Sequence, residues 1–174
     1  AYAPDTIQYA GYTAFSPITL RNKMLGEHEK DNGQHSQPQE TASLHGAAMM
    51  VRRDVLQQVG PMTEVYFLFY EEFDWSARMH HLGYKLWYEP AAAVYHKESM
   101  TAKRGMPQRE FYLSRARMIY ARRNLLGIER FLSCMYILSI AAPKKAVTYL
   151  LNKKQPLAAA VFRGTFSGLI SKKQ

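Results

Sequence analysis

The sequence predicts an α/β domain that gives way to a basic, helical C-terminal region, and three observations predict it. Short apolar runs bounded by glycine and proline alternate with amphipathic stretches as far as Pro107, the pattern of strands and helices packed together. Beyond Pro107 the apolar positions recur at three- and four-residue spacing and no further strand signal follows. Charge divides close to the same place: residues 1–96 carry seven Lys/Arg against eleven Asp/Glu, net −4, whereas the remainder carries sixteen against three, net +13. The expected division is therefore 1–107 and 108–174. All six histidines lie in the acidic part. Chemistry is expected there, and contact with something anionic in the basic part.

Each element follows from local signals. A chain of 174 residues with 47% hydrophobic and 21% charged residues can build a real core. Residues 1–45 are polar and punctuated by Pro4, Gly11, Pro17, Gly26, Asn32-Gly33 and Pro38, which predicts loops and short strands. Gly46 followed by Ala47-Ala48-Met49-Met50-Val51 predicts a buried strand over 44–51. Asp54 to Val59 reads as a short helix stopped by Gly60, with Pro61 just beyond. Val65 to Tyr70 is aromatic and apolar, and a helix is expected from Glu71 to Leu82, ended by Gly83. Tyr84 to Tyr88 has β character, Pro90 breaks it, and Ala92 to Tyr95 suggests a second short strand. A polar loop fills 97–107. Phe111, Tyr112, Arg115, Met118, Ile119 and Arg122 then mark a helix. Phe131 to Ala142 is almost wholly apolar for twelve residues, short of the about 20 that a spanning helix needs. Pro143 and Pro156 open two further helical segments.

The single cysteine, Cys134, excludes an internal disulfide and a cysteine-based zinc site, and favours a reducing compartment. The chain opens Ala-Tyr-Ala-Pro with no initiator Met and no basic-then-apolar leader, which reads as a segment of a longer protein.

The densest chemistry lies in Phe67-Leu68-Phe69-Tyr70-Glu71-Glu72-Phe73-Asp74-Trp75-Ser76-Ala77-Arg78. Three carboxylates fall within four positions at a helix start. Glu71 and Asp74 share one face, and Glu72 points about 100° away. Such acids complement the helix dipole, and Asp74 with Arg78 makes a favourable i,i+4 pair. The aromatic neighbours Phe67, Phe69, Phe73 and Trp75 favour a second role, because desolvation raises a carboxylate toward the range of a general base. His80 and His81 are read as surface or packing residues. His28, His35 and His45 are too scattered for a metal-ligand pattern. Gly46 is either a turn glycine or a point of close substrate approach.

Taken in order, Gly46 to Leu56, Val59-Gly60, Phe67 to Trp75 with Arg78, Gly83-Tyr84 and Pro90 to His96 form a series. It resembles the second half of the catalytic domain of family 2 inverting glycosyltransferases, in particular the rhamnosyltransferase-like bacterial branch. The likeness spans most of residues 40–125 and includes Tyr112 and Arg122-Arg123-Asn124. It implies the acceptor-side part of a GT-A fold, an α/β/α sandwich whose sheet binds a nucleotide sugar. It also implies transfer from a nucleotide-sugar donor to a glycan or lipid-linked acceptor, with Mg or Mn offsetting the diphosphate charge. The family's base lies in an acidic pair opening a helix, so Glu72 is the expected base, Glu71 its neighbour and Asp74 the fallback. Gly46, Ala47, Trp75 and Arg78 are expected at the substrate, and His96 near the metal or diphosphate. No Asp-x-Asp after a strand precedes Gly46. The main metal and nucleotide sites are therefore expected outside this chain, and these 174 residues alone are expected to give no turnover.

Similar proteins often sit on the cytoplasmic face of the inner membrane, and the basic amphipathic tail fits an anionic membrane surface. A solvated helical cap is the competing reading. A nucleic-acid module is the other class, suggested by a pI near 9.7 and the Arg-rich stretch 115–123. The confinement of charge to the tail weighs against nucleic acid as a partner. A non-catalytic scaffold is the third.

Overall fold

A computed structural model describes residues 5–96, 103 and 105–171. The expected loop at 97–107 lies largely outside them. Helix predominates, with one small antiparallel sheet, so both α and β structure are present. The chain forms two compact units. The first comprises residues 1–15, 21–62 and 72–98; the second comprises 16–20, 63–71 and 99–174.

In the first unit, residues 5–15 and 21–35 form irregular loops tied by isolated bridges, Thr6 to Lys30 and Tyr12 to Met24. Strand β1 (Gln39–Thr41) pairs antiparallel with β2 (Leu86–Tyr88), Gln39 facing Tyr88 and Thr41 facing Leu86. Helix α1 (Arg53–Val59) stops at Gly60, whose φ of 76° is a left-handed value that glycine adopts without a Cβ penalty. Helix α2 (Glu71–His81) is followed by Gly83, at φ 82°, in the same way. Its first residue, Glu71, belongs to the second unit, and Glu72 onward to the first. Val55 and Val59 of α1, Trp75 and Met79 of α2, and Leu86 of β2 make the core, with Leu44, Met49, Val51, Met62 and Tyr84 packed against it.

Two expected strands are absent. Residues 44–51 form turns and coil, with Met50 95% exposed. The short apolar run lacks a neighbouring strand, and without a ladder its backbone turns at Gly46 instead. Residues 92–95 likewise form no strand, and Val94 and Tyr95 are exposed.

In the second unit, α3 (Pro107–Asn124) crosses α6 (Gln155–Ile170), while α4 (Gly127–Tyr136), a π-helical turn (Ile137–Ala141) and α5 (Ala142–Leu151) connect them. Prolines 107, 143 and 156 stand in the first turns of α3, α5 and α6, where a missing N–H costs nothing. Gly164 and Gly168 of α6 face α3 so closely that a Cβ on Gly164 would lie 2.2 Å from the Phe111 carbonyl oxygen.

The segment 63–71 is held by α3. Arg115 donates to the carbonyls of Val65, at 2.6 Å, and Tyr66, at 3.3 Å. Phe67 packs on Tyr112, Tyr70 on Tyr120, and the Arg109 guanidinium covers the Phe69 ring. Phe67, Phe69 and Tyr70 have φ of 64°, 67° and 71°, a region that disfavours residues bearing a Cβ and costs about 1–2 kcal/mol each. The α3 contacts hold that strain. The Arg-rich stretch therefore has inward work: Arg117 donates to the Thr19 carbonyl, and Arg122 to those of Gly168 and Ser171.

Candidate active site

The three carboxylates at the start of α2 go separate ways. Asp74, 1% exposed, forms an ion pair with Arg78 at 3.2 Å. Arg78 also donates to the carbonyls of Val59 and Pro61, at 2.8 and 2.7 Å, and the Trp75 indole N–H donates to Gly60 at 2.8 Å. The polar atoms of Trp75 and Arg78, both expected at the substrate, thus hold the turn that follows α1. Glu71 is partly buried, and its Oε2 lacks a hydrogen-bond donor. Glu72 turns toward Gly46: a Cβ placed on Gly46 would stand 4.0 Å from Glu72 Oε1.

Two residues of α2 fix this approach. Ser76, fully buried, donates to the Glu72 carbonyl at 2.7 Å and accepts the Leu44 N–H at 3.0 Å. One turn later the His80 ring meets the Ala42 carbonyl at 3.0 Å, the geometry of a ring N–H donor. The segment leading to Gly46 is thus pinned to the helix that carries Glu72. Next comes a tight turn in which the Ala47 N–H donates to His45 Nδ1 at 3.2 Å and the Ala48 N–H to the His45 carbonyl. Accepting at Nδ1 places the proton of neutral His45 on Nε2.

Around that turn stands a set of rings. His45 lies 4.9 Å from Tyr9, 6.2 Å from Tyr12 in a stacked arrangement, and 6.3 Å from His96. Phe73, beside Glu72 in sequence, packs edge-on against Tyr12 and Phe15. The Tyr9 hydroxyl donates to the Ser43 carbonyl at 2.8 Å, and His96, exposed, meets Gln8 Oε1 through Nδ1 at 3.2 Å. Burial, reinforced by the negative charge of Glu72, pushes the Tyr12 phenol above its ordinary range. Burial does the same to Tyr9. Both phenols stay protonated at neutral pH.

No protein-family model matches the chain, and no curated protein or solved structure matches it either.

Of the residues expected from sequence, Glu72, Gly46, Ala47 and His96 come into one neighbourhood in the first unit, and Asp74, Trp75 and Arg78 serve its scaffold. Tyr9, Tyr12, His45 and Ser76 were not foreseen, since 51 positions separate His45 from His96 and no local spacing joins them. Among the described residues, no three His, Cys, Asp or Glu side chains group as metal ligands.

His45 supplies a pH signature. Burial first, and then the proximity of His96, lower its pKa below the ordinary histidine value. The folded state thus binds this proton less tightly than the unfolded chain. Stability from His45 is fully present above about pH 6.5 and is lost as pH falls from there through the lowered folded value. His45→Asn, which keeps an acceptor for the Ala47 N–H, should flatten the decline in unfolding free energy below about pH 6.5. Denaturant titrations of both proteins across that window check this. An unchanged slope would assign the decline to other groups.

Proposed function

We propose that the first unit is the acceptor-side part of an inverting glycosyltransferase of the family 2 type, built on the second half of a GT-A α/β/α sandwich, with Glu72 as general base. The observation that supports it most is the juxtaposition of Glu72 Oε1 with side-chain-free Gly46, across a contact held by Ser76. A carboxylate beside a glycine leaves space for a hydroxyl to approach, which general-base catalysis needs. Asp74, buried against Arg78, is poorly placed for the same task. In the reaction, Glu72 accepts the proton of an acceptor hydroxyl as its oxygen bonds to the anomeric carbon from the face opposite the nucleoside diphosphate. The bond to the diphosphate breaks, and its electron pair leaves with that group. His45, with Nε2–H as a donor, and the Tyr9 hydroxyl oxygen as an acceptor, its own proton being given to the Ser43 carbonyl, suit hydrogen bonding to a sugar acceptor. On this reading, nucleotide binding and the Mg or Mn that offsets diphosphate charge belong to residues outside these 174.

The test is transfer by the full-length protein from a panel of nucleotide sugars. Glu72→Gln should lower kcat by about 100-fold or more, the usual scale of a lost general base, with the fold retained. Gly46→Ala should also spare the fold, because its Cβ meets Glu72 only at ordinary contact distance, while the added methyl occupies the space for the hydroxyl and lowers transfer. An unaltered rate in Glu72→Gln would remove this residue from the mechanism.

A further inference from the structure

Residues 127–151 form one helical run, because Tyr136, Ile137, Ala141 and Ala142, at the joins of α4, the π-helical turn and α5, all keep right-handed helical backbone angles. Ile128, Leu132, Met135, Ile140, Val147 and Leu151 lie along it in a single stripe. Their three-, four- and seven-residue steps are those of one helix face, and the five-residue step from Met135 to Ile140 crosses the wider π-helical turn. All six are 40–80% exposed. α4 is thus turned inside out, since the residue it buries is Ser133 and its apolar face looks outward. Phe131 and Leu150, also exposed, flank the stripe. Half-exposed side chains of this size offer about 100 Å² each, so these eight present on the order of 800 Å². That is about what each partner gives to a stable protein–protein interface, and apolar area on this scale marks an interaction surface.

Charge identifies what covers it. The two ends of the stripe differ: Glu129, exposed, stands at its start, and Lys153 and Lys154, exposed, follow directly after its end. A surface with an acid at one end and bases at the other complements itself when turned end for end. A second copy laid antiparallel, about a two-fold axis near Ser139 and Ile140, sets Ile128 of each copy against Leu151 of the other, and Leu132 against Val147. Glu129 then meets Lys153 and Lys154 at both ends. The two helix dipoles also run in opposite senses. Lys144, exposed near the middle, falls beside Met135 rather than beside its own counterpart, and half-buried Arg130 lies off the stripe. An anionic surface would gain from the lysines but be opposed at Glu129. The outward stripe of α6, formed by Ala159, Phe162, Phe166 and Ile170, has Arg163 beside it and no acid, so it lacks this self-complementarity.

We infer that the chain forms a two-fold dimer in which residues 127–151 pack antiparallel on the same residues of a second copy, with Glu129 of each facing Lys153 and Lys154 of the other. The dimer is independent of the transferase reading. Sedimentation equilibrium of the 174-residue chain at low ionic strength tests it. The chain should be dimeric at micromolar concentration, the weak end of what an interface of this size gives. Ile128→Ser/Leu151→Ser should weaken the dimer at least about a hundredfold, because four apolar side chains leave the interface. Glu129→Lys should weaken it about tenfold, and so should Lys153→Glu/Lys154→Glu. Mixing those two charge variants should restore association, since each end of the mixed dimer again pairs acid with base. All these positions are exposed, and circular dichroism verifies that the helices persist in every variant. A chain that stays monomeric, a dimer that Ile128→Ser/Leu151→Ser leaves intact, or a mixture that associates no more tightly than its components would overturn the pairing. So would a monomer that binds phosphatidylglycerol vesicles and binds them more tightly as Glu129→Lys, the result expected of a lipid-facing stripe.

Discussion

Gly164→Ala should lower the midpoint of thermal unfolding of the 174-residue chain by about 4–8 °C. The added Cβ would sit 2.2 Å from the Phe111 carbonyl oxygen and 3.0 Å from its carbonyl carbon, and backbone atoms of a helix cannot rotate aside as a side chain can. α6 must therefore back away from α3, loosening contacts along the whole crossing. Overpacking of this kind costs about 3 kcal/mol, and alanine's better helix propensity returns about 1, leaving a net loss of about 2 kcal/mol. Gly168, four residues on, meets Arg115 and Met118 almost as closely, at 2.5 and 2.9 Å. A Gly164→Ala/Gly168→Ala pair should lose more than either single change but less than their sum, because once α6 has moved out for one methyl the second finds room. A control at Ala159, on the outward stripe of α6, separates the clash from a general intolerance of change: Ala159→Ser should shift the midpoint little. Calorimetry of these variants beside the unsubstituted protein checks the expectation, and an unchanged midpoint for Gly164→Ala would mean that the two helices cross less closely than their glycines indicate.

How much of this was legible in the sequence depends on the range of the interaction. Helix boundaries come from local chemistry, and Gly60, Gly83, Pro107, Pro143 and Pro156 mark ends or first turns of helices as their backbone preferences require. The Asp74–Arg78 pair follows directly from i,i+4 spacing. Strands are another matter, since an apolar run becomes a strand only when a partner is present, and neither 44–51 nor 92–95 has one. The aromatic stretch 65–70 reads as one block with Glu71 and Glu72, yet it divides: Phe67, Phe69 and Tyr70 pack on α3 residues, whereas Phe73 packs on Tyr12 and Phe15. Local spacing could not reveal that. Four-residue spacing of Gly164 and Gly168 is the one local signal of the α3–α6 crossing, and it is easily taken for helix-weakening glycine. At the candidate site, the acidic pair opening a helix points to Glu72, but Tyr9, Tyr12 and His45 reach it only through tertiary contacts.

Asp74→Asn should be the second large effect, and it distinguishes the two carboxylates that the sequence left in competition. Asp74 is 1% exposed and paired with Arg78 at 3.2 Å, while Arg78 is itself only 28% exposed. Neutralising Asp74 leaves a largely desolvated guanidinium compensated by the carbonyls of Val59 and Pro61. Removing one partner of such a pair costs about 3–5 kcal/mol, and the carbonyl contacts with residual solvent access favour the lower end of that range. The midpoint of the chain's unfolding should then fall by about 6–12 °C. The damage should concentrate at the join of α1 and α2, because the same guanidinium fixes the turn at Val59 and Pro61. Glu72→Gln, at a half-buried position, should cost less stability than Asp74→Asn, while transfer by the full-length protein collapses. The two variants thus exchange phenotypes according to which residue takes the proton. Should Asp74→Asn melt like the unsubstituted protein and yet abolish transfer, the base would be Asp74. Arg78 would then act by positioning that carboxylate, and Glu72 would keep only its place beside Gly46.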